Sequence, residues 1–268
     1  MIKLVAIDLD GTLLDPDKNI TDEVKAAVAA AKAAGVKIVI CTGRPLPGVI
    51  PILKELNLRE TGDFVITYNG GLVQRADTGE AFIEKKLTRD DVLDIDNFAR
   101  KERLPMMGIT RDGIYTAQRD IGKYIVFESN MVHMPLHVRL PEEIAELDVV
   151  KCMIVDDPYK LDIGIAELPF EWFERFNLVK STPFYLEFNN HTVSKGNAVL
   201  ALADKLFLSN DELMAIGDEE NDRSMLEAVG NPVVMANGKD DLKKIATHVT
   251  KSNAESGVAY AINEWVLK

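Results

Sequence analysis

Two carboxylates stand two residues apart near the start of the chain, in Asp8-Leu9-Asp10-Gly11-Thr12. At an extended strand end this spacing turns both to one side. Such a pair can serve as nucleophile plus acid/base, or it can clamp a metal ion. Standing alone it reads as a solvated strand end before a glycine turn. Thr42-Gly43-Arg44-Pro45 offers a hydroxyl that could donate to a phosphoryl oxygen and a guanidinium close enough to add charge; alone it is an ordinary turn. Lys195-Gly196 puts a lysine at a helix start, where a cation opposes the macrodipole but would neutralise an anion held by free helix amides. In Gly217-Asp218-Glu219-Glu220-Asn221-Asp222 the carboxylates repel one another, and a hard cation with oxygen ligands would relieve that repulsion. The plainer explanation of that segment is an acidic helix N-terminus.

The elements that must carry these residues are legible at both ends of the chain. An apolar run over 4–9 ends in carboxylates. Thr21 then caps a helix opened by Asp22 and Glu23, with Val24, Ala27, Val28 and Ala31 on one face, and Gly35 closes it. A strand over 36–41, a short helix over 46–56 weakened by Pro51, and a strand over 64–68 ended by Asn69-Gly70-Gly71 follow. This succession predicts a parallel sheet covered on both faces. The same grammar returns with a helix over 195–206, a Ser209/Glu212 capping box, a strand over 213–216, helices over 223–229 and 241–246 around a strand at 233–235, and a terminal helix through Ala259, Ile262 and Val266. Both ends therefore build one Rossmann-like α/β core, with the four chemical segments at strand or helix ends, where open α/β sheets place ligands. The middle changes texture. Short strand-like stretches at 113–116, 152–155 and 185–188 mix with helical ones at 89–101 and 162–168 and with turns such as Asp156-Asp157-Pro158. The expected organisation is a core of residues 1–81 and 189–268 with an inserted α+β domain over 82–188.

Composition excludes several classes. The 268 residues carry a net charge of −12, which argues against nucleic acid and anionic membrane surfaces as partners. No stretch approaches the ~20 apolar residues of a membrane span. Cys41 and Cys152 are too few and too far apart for a disulfide framework, which fits a reducing cytoplasm. His133, His137, His191 and His248 lack the spacing of zinc ligands, and Met106-Met107 reads as core filling.

Taken in order, Asp8-x-Asp10-Gly11-Thr12, Thr42, Lys195 and Gly217-Asp218-x-x-Asn221-Asp222 resemble the four motifs of the haloacid dehalogenase-like (HAD) superfamily of phosphohydrolases. The long interval between Asn69 and Lys195 looks like the arrangement with a type-two cap. Thr42-Gly43-Arg44-Pro45, Tyr68-Asn69-Gly70-Gly71 and Ser194-Lys195-Gly196 are similar to the Cof-type, class IIB branch, and Tyr115 to Ile121 looks like the cap of YidA-like sugar phosphatases. The resemblance covers the whole chain and implies a magnesium-dependent phosphatase acting on small phosphorylated metabolites, sugar phosphates above all. It makes Asp8 the nucleophile that becomes an acyl phosphate and Asp10 the acid/base. Mg2+ would be held by Asp8, Asp218 and the backbone carbonyl of Asp10. Thr42, Gly43, Lys195 and Asn221 would bind the phosphoryl group, Arg44 and Asn69 would contact substrate, and Asp222 would support them from behind. In the cap, Arg119, Lys123, Lys151 and Tyr185 are candidates to face the leaving group, each also explicable as solvated or packed. A phosphomutase on the same core and a receiver-type domain that stores phosphate on aspartate remain rival readings, and the sequence leaves oligomeric state open.

Overall fold

Strand β1 (Leu4–Ile7) is buried at every position, as a strand flanked on both sides and covered on both faces must be. The computed structural model describes residues 1–268. From β1 the chain runs through α1 (Asp22–Ala33), β2 (Lys37–Cys41), α2 (Leu46–Glu55), β3 (Phe64–Thr67), β4 (Leu72–Arg75) and β5 (Ala81–Glu84). Next come α3 (Arg89–Lys101), β6 (Met106–Ile109), β7 (Ile114–Thr116), α4 (Lys123–Met131), β8 (Leu136–Val138), α5 (Pro141–Ala145), β9 (Lys151–Val155), α6 (Pro158–Ala166), α7 (Trp172–Arg175), β10 (Phe176–Thr182) and β11 (Tyr185–Asn190). The last stretch is α8 (Lys195–Lys205), β12 (Leu213–Gly217), α9 (Arg223–Ala228), β13 (Asn231–Val234), α10 (Asp240–Lys243), β14 (His248–Val249) and α11 (Gly257–Trp265).

Two compact units result, Met1–Ile83 with Ser194–Lys268, and Glu84–Val193. The breaks fall there because β5 pairs into the sheet of the first unit while β11 extends to Asn190 in the sheet of the second. The first unit holds an eight-stranded sheet in the order β14-β13-β12-β1-β2-β3-β4-β5. The run from β14 to β3 is parallel, and β4 turns back antiparallel on β3. That antiparallel edge differs from the all-parallel expectation, and its cause is the tight turn at Asn69-Gly70-Gly71, which returns the chain beside β3 instead of crossing over.

Alternation along the strands feeds two cores. Val5, Ile7, Ile38, Ile40 and Met214 pack with α1, α2 and α11, while Leu4, Ala6, Val39, Cys41 and Ala215 pack with α8, α9 and α10. In α1 the buried positions are Val24, Ala27, Val28 and Ala31, the face read from the sequence, and the Thr21 side chain accepts from the Val24 amide. Burying a valine such as Val28 stabilises by ~1.5 kcal/mol or more, so the helix is fixed by its inner face. Helix α10 ends at Lys243, shorter than the expected 241–246, because the next residues turn toward β14.

The second unit is a six-stranded sheet in the order β10-β11-β9-β6-β7-β8, antiparallel except for the β7–β8 pair. Its apolar face, with Met106, Cys152, Ile154, Leu186 and Phe188, packs with Val92, Ile95 and Phe98 of α3, Ile144 of α5 and Trp172 of α7. Thr88 and Asp91 form a reciprocal capping box at the start of α3. The fold is thus a Rossmann-like core with an inserted α+β cap domain.

Candidate active site

Every segment singled out for its chemistry ends at the carboxyl edge of the parallel sheet or at the start of the helix beside it. Asp8 follows β1, Thr42 follows β2, Asn69 follows β3 and Asp218 follows β12, while Lys195 is the first residue of α8. Parallel pairing brings these ends together; the Asp8 amide extends the ladder by donating to Ile216 at 3.0 Å. Lys195, with no exposed side-chain surface, directs its ammonium to Asp8 and, at 2.6 Å, to Oδ1 of Asp222. The cation at the head of α8 therefore answers two buried carboxylates.

Asp222 is held from two sides. Its Oδ1 accepts from Lys195, and its Oδ2 accepts the amides of Asp218 at 2.9 Å and Glu219 at 3.0 Å. Asp218 accepts the Thr12 hydroxyl on Oδ1 at 2.6 Å, linking the first motif to the last. Gly11 makes that approach possible. Its φ is +88°, and a Cβ there would overlap the Asp218 carboxylate. The loop is pinned further by Asn237, which donates to the Gly11 carbonyl at 2.9 Å, and by Asn253, which donates to the Leu14 carbonyl at 2.8 Å.

Asp8, Asp218 and Asp222 are buried and have carboxylate oxygens within 4.8 Å of one another. One ammonium does not balance three carboxylates. Burial, with Asp222 nearby, pushes the Asp8 carboxyl up to about 8 against the pull of Lys195. Burial likewise raises Asp218 to about 6, with Asp222 and Glu219 adding to it against the Thr12 hydrogen bond. For Lys195 burial disfavours the charge, but Asp8 and Asp222 outweigh it and hold the ammonium's pKa above its usual value. The donors fit a hard divalent cation. Both oxygens of Asp222 are occupied, whereas Asp8 and Asp218 each keep one oxygen without a protein partner, and the glycine cradle at residue 11 leaves room beside Asp218.

Asp10 lies apart from that triad. Arg44 grips it as a fork, Nε to Oδ2 at 3.0 Å and Nη2 to Oδ1 at 2.7 Å, and Lys18 donates to Oδ1 at 3.0 Å. Burial works against the charged form, but the two cations outweigh it and hold the Asp10 carboxyl below its ordinary value. The structure thus puts Arg44 on Asp10, a partner the sequence does not suggest. Lys18 and Asn237 carry no signal in the sequence, since each reaches the site from a turn.

Thr42 is buried, and its hydroxyl accepts the Arg44 amide at 3.2 Å. Tyr68, Asn69 and Gly70 all adopt positive φ, of 54°, 54° and 99°, an arrangement that costs free energy in the first two and clusters at functional sites. The bend folds this turn against the Thr42 turn, with the Asn69 amide donating to the Thr42 carbonyl at 2.9 Å. A Cβ on Gly43 would lie 3.1 Å from Nδ2 of the Asn69 side chain, and Asn221 donates to Asn69 Oδ1 at 3.3 Å. Thr42, Gly43, Asn69 and Asn221 are therefore neighbours. In the second unit, Lys123 pairs with Asp157 at 2.9 Å, Lys151 pairs with buried Glu187 at 3.0 Å, Tyr185 donates to the Tyr124 carbonyl at 2.9 Å, and Arg119 is exposed.

The chain is similar to known proteins along nearly its whole length. Residues 5–262 match the family described as haloacid dehalogenase-like hydrolase. A Streptococcus pyogenes protein named "Putative phosphatase" is 55% identical over 266 residues, covering 99% of each chain. YcsE of Bacillus subtilis, named a 5-amino-6-(5-phospho-D-ribitylamino)uracil phosphatase, is 31% identical over 268 residues, covering 99% of this chain and 96% of its own. A crystal structure of a haloacid dehalogenase-like hydrolase from Bacteroides thetaiotaomicron superposes with a TM-score of 0.89 at 30% identity, covering 98% of this chain and 99% of the other.

Proposed function

The chain belongs to the haloacid dehalogenase-like hydrolase family and is a phosphatase of that type, and from that premise we propose that it hydrolyses small phosphorylated polyhydroxy metabolites, sugar phosphates among them, through an aspartyl phosphate on Asp8 with Mg2+ as cofactor. The observation that carries this reading is the buried Asp8, bridged by Lys195 to Asp222 and lying beside Asp218 at the strand ends.

Asp8, oriented by its bond to Lys195, presents its carboxylate for attack on phosphorus. Lys195 and Asp222 keep its orientation, and Lys195 also offers positive charge to the phosphoryl oxygens. The Thr42 hydroxyl, the Gly43 amide and Asn221 complete the phosphoryl cradle, with Asn69 behind them and Arg44 within reach of the substrate. Asp10 gives a proton to the departing alkoxide and takes one from the water that later attacks the acyl phosphate. Positioning and fixed charge supply most of the acceleration expected of phosphoryl transfer. Mg2+, held by Asp8, Asp218 and the Asp10 carbonyl, would supply charge that lets an anionic carboxylate approach an anionic ester. The name of the Bacillus subtilis relative, which specifies a phosphorylated ribityl chain, supports a polyhydroxylated leaving group.

The test is a panel of phosphorylated metabolites read as released inorganic phosphate, with and without EDTA, on wild type and Asp218→Asn. Release that EDTA abolishes and Mg2+ restores, with loss in Asp218→Asn, is the expected outcome. Undiminished turnover after chelation would remove the cofactor from the reading, and phosphate handed to a second hydroxyl instead of water would make the protein a mutase.

A further inference from the structure

Asp10 uses both of its oxygens on cations, Oδ2 on Arg44 and Oδ1 on Arg44 and Lys18 together. An ionised carboxylate offers about four acceptor positions, and these bonds fill both on Oδ1 and one on Oδ2, so the position left to meet a leaving-group oxygen is on Oδ2. The fork leaves Arg44 with spare N–H donors for a substrate, so its hold on Asp10 is shared with that second duty. Lys18 has no second duty and bonds Oδ1 alone.

Lys18 is presented for that task by its turn. Its φ of 65° lies in the left-handed region, which a lysine adopts only where the surroundings impose it. Here the turn is closed by the Asp15 amide donating to the Asn19 carbonyl and the Lys18 amide donating to the Asp15 carbonyl, both at 3.0 Å, and by the Asn19 amide donating to Asp15 Oδ1 at 2.8 Å. Asp15 and Asp17 are nearer along the chain, yet the Lys18 ammonium bonds Asp10. With 61% of its side chain exposed, Lys18 fills no core.

We propose that Lys18 is a positioning residue for Asp10: it holds Oδ1 in place and so keeps the free acceptor position of Oδ2 turned to the leaving group. The proposal rests on the reading of Asp10 as the acid/base. Lys18→Ala should leave the melting temperature unchanged and lower kcat by roughly 10-fold, a fraction of the ~10²-fold that displacing a reacting group can cost. KM should move less than about twofold, since Lys18 does not touch substrate, and Lys18→Arg should restore most of the rate. The decisive arm is a double-mutant cycle with Asp10→Asn, using p-nitrophenyl phosphate and glucose 6-phosphate as probes. In the Asp10→Asn background the Lys18→Ala change should cost nothing further. Equal losses in both backgrounds, or no loss in the wild-type background, would overturn the role of Lys18. If Asp10→Asn itself hydrolyses both esters at the wild-type rate, the acid/base reading falls and takes this proposal with it, an outcome distinct from a slow Asp10→Asn that is insensitive to residue 18 only because Lys18→Ala is silent everywhere.

Discussion

Lys195 is a single buried ammonium facing Asp8 and Asp222, so its removal separates electrostatics from shape. Lys195→Met keeps the stem and leaves the two carboxylates unpaired; breaking a buried pair from one side costs ~3–5 kcal/mol. Part of that cost is avoided when Asp8, already pushed up to about 8 by burial, takes up a proton. The variant is expected to be inactive, and its melting temperature should drop less at pH 5.5 than at pH 8; equal drops would mean that Asp8 is not the group left bare. The same groups fix the sign of metal linkage. Burial raises Asp8 to about 8 and Asp218 to about 6, from the ordinary 3.8. Between those limits the folded, metal-free protein binds more protons than the unfolded chain, so these groups lower stability as pH rises. A Mg2+ ion held by both carboxylates, as proposed, would need them ionised and would offset that loss. The increase in melting temperature on adding Mg2+ should therefore grow from pH 5.5 to pH 8. A flat increment would argue against Asp8 and Asp218 as ligands.

Helix α8 brings Lys195 to the sheet edge only because Gly196 lets it lie against α9. A Cβ on Gly196 would overlap the Ser224 carbonyl, and the Gly196 amide donates to the Ser224 hydroxyl at 3.1 Å. Gly196→Ala gains up to ~1 kcal/mol in helix propensity, but overpacking two backbones costs ~1–3 kcal/mol, so a net loss of stability and a reduced kcat are expected. Gly122→Ala is the control: that residue caps α4 at φ −72° with nothing within 4 Å of the added carbon, and urea denaturation should find it within ~0.5 kcal/mol of wild type. If both substitutions are silent, the α8–α9 contact does not position Lys195. The elements of the core were legible because strands buried on both faces, such as β1 and β12, are unbroken apolar runs. Other elements carry no such signal. In α4, Val126, Phe127 and Met131 are exposed, so its apolar residues do not mark one inner face, and most of β10 is only partly buried. At the site, residue types and order could be read, but the Thr12–Asp218 bond joins positions 206 apart and depends on sheet order. The Arg44 fork on Asp10 depends on two turns whose shapes no local pattern encodes.

At the scale of the whole molecule the work divides between the two units. Every residue given a part in phosphoryl transfer lies in the unit formed by Met1–Ile83 and Ser194–Lys268. Phosphate esters differ from one another in their leaving groups, and the proposed function leaves their discrimination to be tested in the second unit, Glu84–Val193. Its sheet alternates Cys152, Ile154, Leu186 and Phe188 toward the helices. The residues that alternate with them, among them Lys151, Glu187 and Asn189, therefore lie on the opposite face. Lys151 and Glu187 form a buried pair there at 3.0 Å, and both carry groups that hydrogen-bond hydroxyls. Replacing both, as Lys151→Met with Glu187→Met, removes the two charges of the pair together, which is less costly than removing one and leaving the other buried and uncompensated. The double variant should stay folded and keep its turnover of p-nitrophenyl phosphate within about twofold. For the best sugar phosphate of the panel, kcat/KM should fall by roughly 10-fold, as expected when one hydrogen bond of ~1.4 kcal/mol to a leaving-group hydroxyl is lost. A folded double variant with an unchanged ratio of the two rates would show that this face does not read the leaving group, and selection would then have to be sought among the other polar residues of the cap, beginning with Arg119.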